Sequence, residues 1–116
     1  MGPEIAAILV DIGRWVRSRP DLHGLALVGS YASGRARADS DIDLIIPADV
    51  LAAYQDASWV QSALDRRVVA GKRAEWFGNA WSFFVRLAEG PEVEFTFTER
   101  SWTKAAPPAP EVCRVV

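Results

Sequence analysis

The chain opens with an apolar spacing of three and four. Ile5, Ile8, Leu9, Ile12, Trp15 and Val16 fall at i, i+3, i+4 and i+7, so residues 4–17 predict an amphipathic helix. Pro3 suits its first turn and Pro20 closes the segment. The short apolar run 25–28 predicts a buried strand that leads directly into Gly29-Ser30. The residues after Ser30 predict the start of a short helix. A second run, 41–46, predicts a strand stopped by Pro47. Residues 49–64 predict a helix with Asp49 as N-cap and Val50, Leu51 and Tyr54 on its first apolar face, broken near Ser58.

In the second half the period changes to two. Residues 73–77 predict a strand and Gly78-Asn79 a turn. Trp81, Phe83, Val85 and Leu87 then alternate with Ser82, Phe84, Arg86 and Ala88. After a Glu89-Gly90-Pro91 turn, Val93, Phe95 and Phe97 alternate with Glu92, Glu94, Thr96 and Thr98. Such a two-faced strand belongs to a sheet that helices cover on one side only. Residues 104–110, rich in Ala and Pro, predict a linker or extended arm. Residues 113–116 suit either an edge strand or the start of something further along. The pattern predicts one α/β domain of the α+β kind over residues 1–103, then a Pro-rich C-terminal arm over 104–116. Its sheet is mixed, with about four or five strands and helices mainly on one face.

Composition narrows the function classes. The 116 residues are half hydrophobic and 24% charged, an ordinary globular balance for one domain. Thirteen basic against fifteen acidic residues leave a net charge of −2, which excludes a global basic field for nucleic acid. All basic residues except Lys72 and Lys104 are Arg, a side chain suited to bidentate phosphate contacts. Cys113 is the only cysteine, which excludes an intramolecular disulfide and a cysteine metal cluster. His23 is the only histidine, which argues against zinc. No run of about 18 apolar residues and no basic-then-apolar leader is present, so a soluble, cytoplasmic protein is expected. Trp15 and Trp81 fit core positions, whereas Trp59, Trp76 and Trp102 fit either a core or an interaction surface.

The chemistry concentrates in Gly29-Ser30-Tyr31-Ala32-Ser33-Gly34 and in Asp39-Ser40-Asp41-Ile42-Asp43-Leu44. In an extended strand Asp41 and Asp43 point the same way. Two neighbouring carboxylates repel unless a cation lies between them. Mg²⁺, which takes oxygen ligands from one or two carboxylates and from substrate phosphates, is the cation proposed here. The small Gly29-Ser30 turn suits the phosphate end of such a substrate. A calcium loop on Asp39, Asp41 and Asp43 is excluded, because Leu44 and Val50 stand where Gly and Glu are required. Asp39 reads as a turn or cap residue. Tyr31 suits either base stacking or packing on the first helix.

Gly29-Ser30, a spacer, and apolar-flanked Asp41-Ile42-Asp43-Leu44 resemble the signature of the nucleotidyltransferase superfamily related to DNA polymerase β. The version here is most similar to its minimal bacterial branch, and the strong match covers residues 27–46. Many relatives carry Arg where this chain has Ser33; Arg35 and Arg37 lie close by as candidate triphosphate contacts. The resemblance implies a polymerase-β-like palm that transfers a nucleoside monophosphate, expected to be AMP from ATP, to an acceptor hydroxyl with release of pyrophosphate. It implies two Mg²⁺ ions on Asp41, Asp43 and a third acid in an apolar-acid-apolar triplet. Val93-Glu94-Phe95 fits that triplet, which makes Glu94 the candidate and Glu92, on the same face, the substitute. Gly29 and Ser30 would receive the β and γ phosphates.

A palm alone lacks a full acceptor pocket, so a homodimer, a helical protein partner or a downstream region is expected to complete it. A nucleic-acid acceptor would need a local basic patch. The alternative class is an antitoxin-type interaction protein that binds and masks or modifies a small helical partner. An ordinary sheet protein with an accidental motif is the third reading. The acceptor and the base preference are not written in the sequence.

Overall fold

The computed structural model describes residues 2–37, 40–64, 68–77, 80–101 and 113–115, with backbone alone for 57, 69–77, 113 and 114. In chain order the elements are α1 (Pro3–Ser18), β1 (Ala26–Val28), α2 (Gly29–Ser33), β2 (Ile42–Ala48), α3 (Val60–Ala63), β3 (Val68–Phe77), β4 (Ala80–Leu87), β5 (Glu92–Glu99) and β6 (Cys113–Arg114). Two 3₁₀ turns, Leu51–Tyr54 and Ala57–Trp59, precede α3. Asp39, the Gly78-Asn79 turn, Trp102 and the arm at 104–110 lie outside the described residues, as does the side chain of Trp76.

The strands form one sheet in the order β3-β4-β5-β2-β1-β6. β2 and β5 run parallel, and the other neighbours are antiparallel. Six strands exceed the four or five expected. The sixth is the C-terminal segment, whose Cys113 and Arg114 pair with Leu27 and Ala26 along the free edge of β1. β3 carries two register shifts against β4, which bend this edge strand.

Period-two patterning places the core. Ile42, Leu44 and Ile46 of β2, Val93, Phe95 and Phe97 of β5, and Phe83, Val85 and Leu87 of β4 all turn to one face. α1 lays Ile5, Ile8, Leu9, Ile12, Trp15 and Val16 on that face, as its spacing predicts. Each such side chain, fully buried, contributes about 1.5–3 kcal/mol of transfer free energy. Trp59 belongs to this core: it stacks on Trp15 at 5.3 Å between centroids and meets the edges of Phe83, Phe95 and Phe97. No helix of the described residues is long and apolar enough to cross a membrane.

Two local expectations are corrected. Residues 49–64 are not one helix but two 3₁₀ turns and a four-residue α3. The carbonyl of Tyr54 is taken by the indole N–H groups of Trp59 and Trp81, at 3.1 and 3.2 Å, and the Asp56 carboxylate takes the Ser58 N–H at 2.9 Å. These side-chain bonds compete with the helical ladder. Asp49 caps nothing; its carboxylate holds His23 Nε2 at 2.7 Å, and Val50 is exposed. Nor does Pro47 stop β2, which continues to Ala48. The β1 ladder has already ended at Ile45, so the missing N–H of Pro47 breaks no pair there, and its carbonyl accepts the His23 N–H at 2.8 Å.

Candidate active site

The parallel pairing of β2 with β5 sets Asp43 directly beside Glu94. Ile42 and Leu44 are committed to the core, so Asp43 between them must face the other way; Val93 and Phe95 do the same for Glu94. Neighbouring strands stand about 4.7–4.9 Å apart, which brings the two carboxylates together. Both are half-buried. Asp41, two residues earlier, is exposed just ahead of β2 and influences Asp43 through its charge. The Asp43 pKa is raised from 3.8 to about 6. Burial is the largest cause, followed by the charge of Glu94, a hydrogen bond with Glu94, and the charge of Asp41.

The Gly29 turn closes over this pair. Val28 is the register partner of Asp43, so the next residue passes its side chain. Gly29 has φ +74°, and a Cβ there would collide with Asp43 Oδ2 and lie 3.3 Å from its Cγ. Ser30 follows in the five-residue α2. Its carbonyl accepts the Gly34 N–H, the Arg35 N–H at 2.9 Å and the Ser33 hydroxyl at 3.2 Å, which holds the turn in shape.

Gly29, Asp43 and Glu94 are thus brought together, with Ser30 and Asp41 alongside. Arg35 and Arg37 are not drawn in. Both are exposed, and neither forms an ion pair with the acids among the described residues. The Arg37 backbone is fixed by Ser40, whose hydroxyl accepts its N–H at 2.7 Å. Arg37 borders an open cleft of about 980 Å³, together with Tyr31, Arg86, Pro91 and Glu92. Tyr31 also packs against the core, so it serves both surfaces.

Sequence reasoning passed over Ser82 and Thr96. Their hydroxyls lie 2.8 Å apart on the carboxylate face, and Thr96 Oγ1 is 3.5 Å from Glu94 Oε2. No local signal marked them: both sit where the alternation expects polar residues, and only the structure shows Ser82 to be 1% exposed.

A divalent ion can be tested against this donor set. Asp43 and Glu94 offer only oxygen, and no Lys, Arg or His among the described residues neutralises them. Burial first, and then the neighbouring acid Glu94, raise the Asp43 pKa. Among the described residues no three acidic, His or Cys side chains form a ready-made metal cluster, and Asp41 influences Asp43 through charge alone. The pair fits a hard cation such as Mg²⁺, with substrate oxygens needed to complete the shell.

The family model for the nucleotidyltransferase domain matches residues 14–101, a span that includes Gly29, Asp41, Asp43 and Glu94. The chain belongs to the nucleotidyltransferase family. Solved structures agree on the fold. A Bacillus subtilis aminoglycoside 6-adenyltransferase superposes with a TM-score of 0.59 at 10% identity, over 83% of this chain and 35% of that one. A cytoplasmic RNA terminal U-transferase gives 0.58 at 22% identity, over 89% and 35%. The nucleotidyltransferase domain described here therefore spans about a third of the length of either neighbour. No curated protein matches the chain. The polymerase-β-like palm expected from Gly29-Ser30 and Asp41-Ile42-Asp43 is the architecture observed.

Proposed function

We propose that this nucleotidyltransferase domain transfers a nucleoside monophosphate, AMP from ATP, to an acceptor hydroxyl and releases pyrophosphate. The observation that carries this reading is the register of Asp43 on Glu94 beneath Gly29. One face of the sheet thereby offers a pair of carboxylates next to a glycine turn that has no space for a side chain.

Asp41, Asp43 and Glu94 would hold Mg²⁺. Once bound, the ions would supply charge neutralisation at the attacking and leaving oxygens. The residues of the chain do the rest. The backbone at Gly29 lets the triphosphate approach, and the Ser30 hydroxyl donates to it. Arg35 and Arg37, exposed and uncommitted to the acids, are available to swing onto the phosphates. Glu94 would accept the acceptor's proton. Phosphoryl-type transfer depends on such positioning and electrostatics more than on covalent participation. Because the chain spans a third of its neighbours, the acceptor is assigned to a surface outside this domain: a second copy, a helical partner chain or a further domain. Placement in the minimal bacterial branch and the choice of ATP rest on the Gly29-to-Leu44 resemblance. The adenyltransferase neighbour is consistent with ATP, and the U-transferase neighbour makes UTP the first competitor to test.

The test is incubation with Mg²⁺ and each nucleoside triphosphate labelled at the α-phosphate, alone and with the product of the adjacent gene. Label transfer with pyrophosphate release, lost in Asp43→Ala, supports the enzyme. Tight binding of the adjacent product that survives Asp41→Ala with Asp43→Ala, with no transfer in the wild type, replaces it by the masking alternative.

A further inference from the structure

Glu94 is the member of the acid cluster with a second polar chain behind it. Thr96 lies two residues on, on the same face of β5, and Ser82 of β4 is its register partner. Ser82 Oγ is 2.8 Å from Thr96 Oγ1, which in turn is 3.5 Å from Glu94 Oε2. A hydroxyl has one proton to give, and that of Thr96 is directed at Glu94 Oε2. Thr96 therefore donates to Glu94, and its lone pair takes the proton of Ser82. The order is then Ser82 to Thr96 to Glu94.

We propose that Thr96, itself oriented by Ser82, is a positioning residue that sets the direction of the Glu94 carboxylate. This rests on the nucleotidyl-transfer reading of the cluster. Two physical points carry it. Ser82 is 1% exposed, so its hydroxyl cannot turn to water, and Thr96 satisfies it. Glu94 is half-buried at the level of Asp43, and Thr96 gives its carboxylate a partner on its own strand as well as the acid on β2. The donor on Thr96 engages Oε2. The 3.5 Å separation is long, as hydrogen bonds to catalytic groups often are before substrate binds, and it has room to shorten.

Thr96→Val removes the donor with little change of shape, and Thr96→Ser keeps it. Two readouts besides activity apply: the ¹³C resonance of the Glu94 side-chain carboxyl in metal-free protein, and the affinity for Mn²⁺ alone. Thr96→Val is expected to shift the resonance, to weaken Mn²⁺ binding by about tenfold, the lower end for outer partners of metal ligands, and to lower kcat with KM for nucleotide little changed. Thr96→Ser is expected to restore all three, and Ser82→Ala to fall between. An unmoved resonance with unchanged Mn²⁺ affinity in Thr96→Val overturns the proposal. So do valine and serine variants impaired equally, in step with a lowered melting temperature. A wild-type protein that binds no Mn²⁺ at millimolar concentration overturns the nucleotidyl-transfer reading instead, while the carboxyl resonance still decides the tether.

Discussion

Gly29 and Asp43 are in each other's way: a Cβ on the first would collide with Oδ2 of the second. The positive φ of Gly29 adds a backbone requirement to the steric one. Gly29→Ala therefore combines left-handed strain of roughly 1–2 kcal/mol with displacement of the Asp43 carboxylate. The variant is expected to melt several degrees lower and to lose most Mg²⁺-dependent nucleotide binding. Gly34→Ala is the control. It carries the same strain at φ +78° with open space around the Cβ, so it should lose stability but keep more of the binding.

The raised Asp43 pKa sets a pH dependence opposite to that of a salt-bridged carboxylate. The folded value, about 6, lies above the unfolded 3.8, so between them the folded chain binds the extra proton. Asp43 accordingly costs metal-free stability as pH rises from about 4 through about 6. Asp43→Asn, which removes that charge, should match the wild type near pH 4 and melt higher above pH 6. Saturating Mg²⁺ should narrow the gap. Thermal melts of both proteins across pH 4–8, with and without Mg²⁺, provide the check; a gap that is constant with pH would show that Asp43 carries no such burden.

Nucleotide and metal should stabilise the fold together. Binding to the folded state alone adds about 2.7 kcal/mol at a ligand concentration of 100 Kd. Millimolar ATP with Mg²⁺ is expected to raise the melting temperature by several degrees, more than either alone. The shift should vanish in Asp41→Ala with Asp43→Ala. An absent shift in the wild type would count against a competent site.

Trp59 tests the core rather than the site. Its ring touches Trp15, Tyr54, Phe83, Phe95 and Phe97, and its N–H donates to the Tyr54 carbonyl. Trp59→Ala should cost about 3–5 kcal/mol by urea unfolding, as large aromatic deletions in cores do. Trp59→Phe should recover most of the packing and leave the Tyr54 carbonyl to Trp81 alone. A mild effect of the alanine variant would return Trp59 to the surface role that its sequence position also allowed.

The legible part of the fold was the part encoded locally. The three-and-four spacing from Ile5 to Val16 specifies which side of α1 meets the sheet. Alternation in Trp81–Leu87 and Val93–Phe97 specifies the buried faces of β4 and β5. Residues 49–64 were misread as a helix because their decisive hydrogen bonds come from outside the local ladder. The indole of Trp81 is 27 positions from the Tyr54 carbonyl that it occupies. Asp49 was misread as a cap for the same reason, since its partner His23 arrives from the loop before β1.

At the site, the sequence by itself determined that Asp43 stands between two apolar residues, that Glu94 stands on a polar face, and that a small turn precedes the acids. Side-chain period and residue size are local properties and need no knowledge of neighbours. Only the tertiary structure decided that β5 lies parallel to β2 with Glu94 at the level of Asp43, that Gly29 passes over Asp43 Oδ2, and that Ser82 reaches Thr96. Those contacts join residues far apart in the chain. They exist because α1 and the aromatic cluster bury one face of all the central strands at once, and a one-residue slip of β5 on β2 would turn Val93 and Phe95 away from the face that buries Ile42 and Leu44.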